Sequence, residues 1–155
     1  MIAVVKAIFV SLLLLRKVGP SASQSSADYF IRTYAGYTSS NYNSRGDDGP
    51  ALAGIIDDVR HVFADTQNNY YVTDSSFIRK VTTSTNIIST YAGGGAQAYF
   101  DGILATSTYL NSPWGVAGDT AGNIYFGDRV DCCIRHIATN TKVMSNVVGG
   151  CGLCA

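Results

Sequence analysis

Residues 111–128 read NSPWGVAGDTAGNIYFGD, and residues 132–150 continue CCIRHIATNTKVMSNVVGG. An earlier stretch answers it: residues 57–74 read DDVRHVFADTQNNYYVTD and residues 75–94 read SSFIRKVTTSTNIISTYAGG. Asp65 and Asp74 return 54 residues later as Asp119 and Asp128. Past a two-residue length difference, Ile78-Arg79-Lys80-Val81 returns 56 residues later as Ile134-Arg135-His136-Ile137. Tyr34-Ala35-Gly36, Tyr91-Ala92-Gly93 and Val147-Val148-Gly149 fill one slot three times. Turn residues in register at a period of about 55 mark a repeat architecture.

Within each repeat, short apolar runs alternate with turn residues. In the first repeat the runs predict strands at 59–64, 69–73, 77–81 and 87–91. Asp119-Thr120-Ala121-Gly122-Asn123 is a tight turn whose Gly supplies a positive φ. The first copy has Asp65-Thr66-Gln67-Asn68-Asn69 there, and Asn is the next-best residue for that conformation. Thr82–Asn86 and Ala138–Lys142 read as hairpin turns. No 3.6-residue periodicity follows the N-terminal leader, which argues against an αβ solenoid. An eight-stranded sandwich would match the strand count but predicts no internal repetition. Four short hairpin-linked strands per repeat predict an all-β chain of β-propeller blades.

These residues also resemble a family. GDDGPALA at 46–53, the segment at 110–128 and CIRHIATNTKVMSNVVGG at 133–150 are similar to the NHL repeat, a β-propeller blade. In that repeat a G-D-G-G-P-A loop precedes L-x-x-P-x-G-V-A-x-D, then G-N-x-Y-x-A-D, then I-R-x-I and an outer strand ending in V-A-G. The resemblance covers about residues 28–150. The first copy departs from it, with Asp58-Val59-Arg60-His61 where Ser112-Pro113-Trp114-Gly115 stands later. Phe100-Asp101-Gly102 keeps only the Asp-Gly of the Gly46–Pro50 loop, with Ile103 read in place of its Pro. The resemblance implies four-stranded antiparallel blades at 37–93 and 94–150, with strands 59–64 and 114–118 lining a central channel and the others at 69–73, 77–82, 86–91, 123–127, 133–138 and 142–148. Residues 24–36 become a leader and, over 29–34, the outer strand of a preceding blade. Residues 151–155 form a Cys-containing tail. Propellers close with typically 4–8 blades, so two blades make an incomplete ring. A fragment of a longer propeller, self-assembly of copies into a ring, and a short open array each account for that.

Composition narrows the partners. Lys+Arg and Asp+Glu balance at 11 each, so no field favours nucleic acid or an anionic membrane. Only 14% of residues are charged, against about 25% in ordinary soluble domains. Residues 1–23 read as a secretory signal peptide. Ala7–Leu15 is its apolar segment, Gly19-Pro20 the break, and small residues follow at 21–23. The apolar run is short for a spanning helix, which needs about 20 residues. Arg16-Lys17 after it resembles the flank of a signal anchor. A secreted or cell-surface setting follows.

That setting makes the four cysteines disulfide candidates. Strand 133–138 running antiparallel to 142–148 brings Cys132 or Cys133 near Cys151, and Cys154 takes the other bridge. Zinc is a weaker reading, because adjacent Cys132-Cys133 lacks the usual ligand spacing. Asp47, Asp48 and Asp101 are weak candidates for Ca²⁺ through loop oxygens, and His61 is a channel-facing candidate for a metal or a base. Arg79 and Arg135, at matching sites, are expected to make structural hydrogen bonds between blades or to loop carbonyls. No G-x-S-x-G, H-E-x-x-H or Walker A pattern occurs. The chain therefore reads as a scaffold without cofactor that binds a protein or glycan partner. The alternative is a piece of a propeller enzyme, a metal-dependent lyase or lactonase with its site at the channel.

Overall fold

The turns explain why each repeat folds as a meander. Asp65 accepts the backbone N–H groups of Gln67 and Asn69 at 2.9 and 2.8 Å, and the Asn69 amide at 2.9 Å. Asp119 accepts the Asn123 N–H and the Asn123 amide, both at 2.9 Å. Asn69 and Asn123 in turn accept the N–H groups of Thr83 and Thr139, clipping each turn to the next hairpin. Asn68 holds φ at +62° where Gly122 holds +84°, so the left-handed residue sits at one position in both copies.

The computed structural model describes residues 32–36, 45–97 and 101–152. The leader at 1–23, most of the strand expected at 29–34, and Cys154 lie outside the described residues. Arg32 to Tyr34, the described end of that strand, carries no regular structure. The strands are β1 Gly49–Pro50, β2 Val59–Ala64, β3 Tyr70–Asp74, β4 Phe77–Thr82 and β5 Ile87–Gly93. The second repeat supplies β6 Ile103–Leu104, β7 Pro113–Gly118, β8 Ile124–Asp128, β9 Cys133–Ile137 and β10 Val143–Val148. Short 3-10 turns at Ala51–Ala53 and Ala105–Ser107 follow β1 and β6.

The strands form two antiparallel sheets, ordered β1-β5-β4-β3-β2 and β6-β10-β9-β8-β7. The eight longer strands fall where the sequence predicts them, with ends shifted by one or two residues. The fifth strand of each sheet was not expected. It is two residues drawn from the preceding loop onto the outer edge, with Asp48 N–H bonding Ile88 O and Gly102 N–H bonding Met144 O. Two residues are too few to leave a period in the sequence. Leu104, not Ile103, is the counterpart of Pro50 in this register.

Alternation gives each sheet two apolar faces. The forward face of the first sheet, with Tyr71, Ile78, Tyr91 and Ala92, packs on the second sheet. There it meets Val116, Ile124, Phe126, Ile137 and Met144, and one buried cluster spans both sheets. Each such side chain fully buried contributes about 1.5–3 kcal/mol. The rear face of the first sheet carries Tyr70, Val81 and Ile88 beneath Ala51, Ala35, Ile56 and Val62.

A buried charged set fixes each loop to its sheet. Arg79 is fully buried; it donates to the carbonyls of Ile55 and Arg45 at 3.1 and 3.2 Å and to Asp47 at 2.6 Å. Asp74 accepts from Arg45 at 2.9 Å and from the Asp57 N–H at 2.7 Å. Asp128 accepts the Asn111 N–H in the same way at 3.0 Å. Burial pushes the Asp74 and Asp128 carboxyls up to about 6, against the opposing pull of these N–H groups and arginines.

Candidate functional site

The innermost strands β2 and β7 carry matching irregularities, between Val59 and Val62 and between Pro113 and Val116. Such bulges re-aim side chains and recur beside functional sites. Here they present Arg60-His61 on one sheet and Trp114-Gly115 on the other, and β2 lies beside β7. The Thr73 hydroxyl sits between them, 2.9 Å from the donating N–H of His61 and 3.1 Å from the Trp114 carbonyl.

Trp114 is 45% exposed, unusual for a ring of that size. The Arg60 guanidinium lies 5.2 Å and that of Arg129 4.7 Å from its ring centre, both within cation–π range. Asp58 pairs with Arg60 beside it. Arg129 follows Asp128, whose buried carboxylate fixes the loop before β7. The Arg129 N–H bonds Ser112 O at 3.2 Å, which seats its side chain above the indole. The result is an exposed aromatic plate flanked by two cations at the junction of the two sheets.

His61 lies at this platform, but its ring has a structural partner. The Val116 N–H donates to His61 Nδ1 at 3.3 Å across the two sheets. Nδ1 must therefore be unprotonated, leaving the proton on Nε2. The Asp candidates are not brought together. Asp47 accepts from Arg79 and, at 2.8 Å, from the Thr90 hydroxyl. Asp101 accepts the Asn146 N–H at 2.6 Å in the other sheet. Asp48 is exposed at φ +60°, in a turn. Among the described residues no three His, Cys, Asp or Glu side chains gather as a metal-binding group.

Of the two cysteines named as neighbours of Cys151, the structure selects Cys133, with Cα atoms 5.1 Å apart. Cys132 is also disulfide-bonded. The Cys133–Cys151 bridge ties the chain after β10 to the start of β9. Among the described residues no helix is long and apolar enough to cross a membrane.

The sequence reading named His61 but passed over Arg60, Trp114 and Arg129. One signal was present: residues 58–61 and 112–115 are where the two copies differ most, while the framework around them repeats. No protein-family model matches the chain, and no curated protein is significantly similar to it.

Proposed function

We propose that the chain forms two NHL-like β-propeller blades and serves, secreted or at the cell surface, as a non-catalytic scaffold for a protein or glycan partner. The period of the repeat, the meander of each sheet and the side-by-side inner strands support the blade reading. The Cys133–Cys151 disulfide suits an extracellular setting. One observation carries the binding role: Trp114 stands exposed between two sheets with Arg60 and Arg129 over its ring. Trp and Arg are residues that dominate interface energetics, and Trp joins a large apolar surface to a polar N–H.

Trp114 is the single tryptophan, so its emission reports on the platform alone. The test is a fluorescence titration with neutral oligosaccharides, sulfated oligosaccharides, acidic peptides and neutral peptides. A saturable change with one class is expected. Arg129→Ala should weaken it by about 30-fold, the effect of losing a contact of about 2 kcal/mol. A flat response to all four classes removes the platform from consideration.

A further inference from the structure

The contact between the sheets uses one face of each, and the repeat shows what remains. Tyr71, Ile78, Tyr91 and Ala92 on the forward face of the first sheet are all buried. Their counterparts on the second sheet are Tyr125, Ile134, Val147 and Val148. Tyr125 is half-buried, while the other three are 45, 52 and 58% exposed. The second sheet thus carries, uncovered, the face that the first sheet uses to hold it.

Among the described residues the complementary face is only thinly covered. Val116, Ile124, Phe126, Ile137 and Met144 correspond to Val62, Tyr70, Val72, Val81 and Ile88 on the rear of the first sheet. Tyr34 lies edge-on to Tyr70 there, ring centres 5.2 Å apart. An apolar cavity remains among Tyr34, Ala35, Ile56, Val62, Tyr70 and Val72. Gly36 N–H bonds Ala51 O at 3.0 Å in the first 3-10 turn. β5, which ends in Tyr91-Ala92-Gly93, packs beside the second 3-10 turn. Tyr34-Ala35-Gly36 therefore occupies the seat of a preceding outer strand, with no sheet behind it among the described residues.

We infer that the forward face of the second sheet docks onto the rear face of the first sheet in a second copy of this chain. In that complex Val147-Val148-Gly149 displaces Tyr34-Ala35-Gly36 from its seat on Ala51. The inference rests on the stacked-repeat reading, because the new contact repeats the internal one. The two surfaces differ, so the contact is heterologous and propagates head to tail. Among the described residues the strap is held by the Gly36 backbone hydrogen bond and the packing of Tyr34 and Ala35, whereas an incoming sheet brings a whole apolar face. Ala117 stands where Phe63 fills the internal contact, so the intermolecular contact is the weaker of the two.

Sedimentation equilibrium on the full chain, purified without reductant, tests this over a concentration series. Ile134→Asp, Val148→Asp and Tyr34→Ala are run beside the wild type, with circular dichroism on each. All four share the same N-terminal segment, so differences among them report the faces. Concentration-dependent association of the wild type is expected. Either Asp variant should weaken it at least about tenfold while keeping the β spectrum, and Tyr34→Ala should tighten it several-fold by loosening the strap. Two exposed sites are probed so that misfolding of one variant leaves the other to decide. A folded wild type that stays monomeric overturns the docking, as do folded Asp variants that associate like it. Unchanged association of Tyr34→Ala overturns the displacement. A wild type without β structure overturns the stacked-repeat reading itself.

Discussion

At the scale of single residues, repeat equivalence supplies its own controls. Asn68 and Gly122 share a left-handed backbone, and only Asn68 bears the cost of a Cβ there. Asn68→Gly should therefore stabilise the protein or be neutral, by up to about 1 kcal/mol in urea unfolding. Gly93 behaves oppositely. Its φ is +91°, and an added Cβ would fall onto the Ser76 carbonyl; Gly149 is placed the same way against Cys132. Gly93→Ala should cost about 2 kcal/mol or more by the same measurement. Ile78 and Ile134 form a third pair. Ile78→Ala should cost about 2–5 kcal/mol, as a deep core truncation does. Ile134→Ala in the monomer should cost under about 1 kcal/mol, because the side chain is nearly half in water.

At the scale of elements, the loops and hairpin ends hold two adjustable contributions. The Cys133–Cys151 bridge closes a loop with a sequence separation of 18. Cys133→Ala with Cys151→Ala should lower the unfolding free energy by about 3 kcal/mol, read by denaturant titration. The second contribution is set by pH. Asp74 and Asp128, at the ends of β3 and β8, bind protons more tightly when folded than when unfolded, reaching about 6. Between about pH 4 and 6 the native state therefore holds the extra protons, and stability falls as pH rises through this window. Tm should be higher near pH 5 than near pH 7.5. Asp128→Asn, which keeps the acceptor without the charge, should flatten that dependence. The Phe-Ile-Arg-Lys-Val and Cys-Ile-Arg-His-Ile strands were readable as short apolar runs set between turn residues and repeated in register. β1 and β6 were not, since their edge pairing is decided by how the loop is pinned to buried Arg79 and by backbone bonds to β5 and β10.

At the scale of the whole molecule, the two sheets share one apolar cluster and a hydrogen bond from the Val116 backbone to His61. Phe126→Ala, which opens that cluster, should lower the stability of both sheets by about 3–5 kcal/mol within a single transition. Separate transitions for the two repeats would show that the stacking contributes little.

The sequence by itself determined the all-β class, the repeat, eight strands and the turn chemistry. Each of these is a local consequence of short apolar runs set between turn residues or of a left-handed backbone position, and each was written twice. The tertiary structure decided what the repeat could not encode. It chose Cys133 over Cys132 for Cys151, buried Ile78 while exposing Ile134, gave His61 a backbone partner, and set Arg60 and Arg129 over Trp114. Those outcomes depend on which surfaces meet across sheets and loops, and identical local sequence is compatible with either side of such a contact.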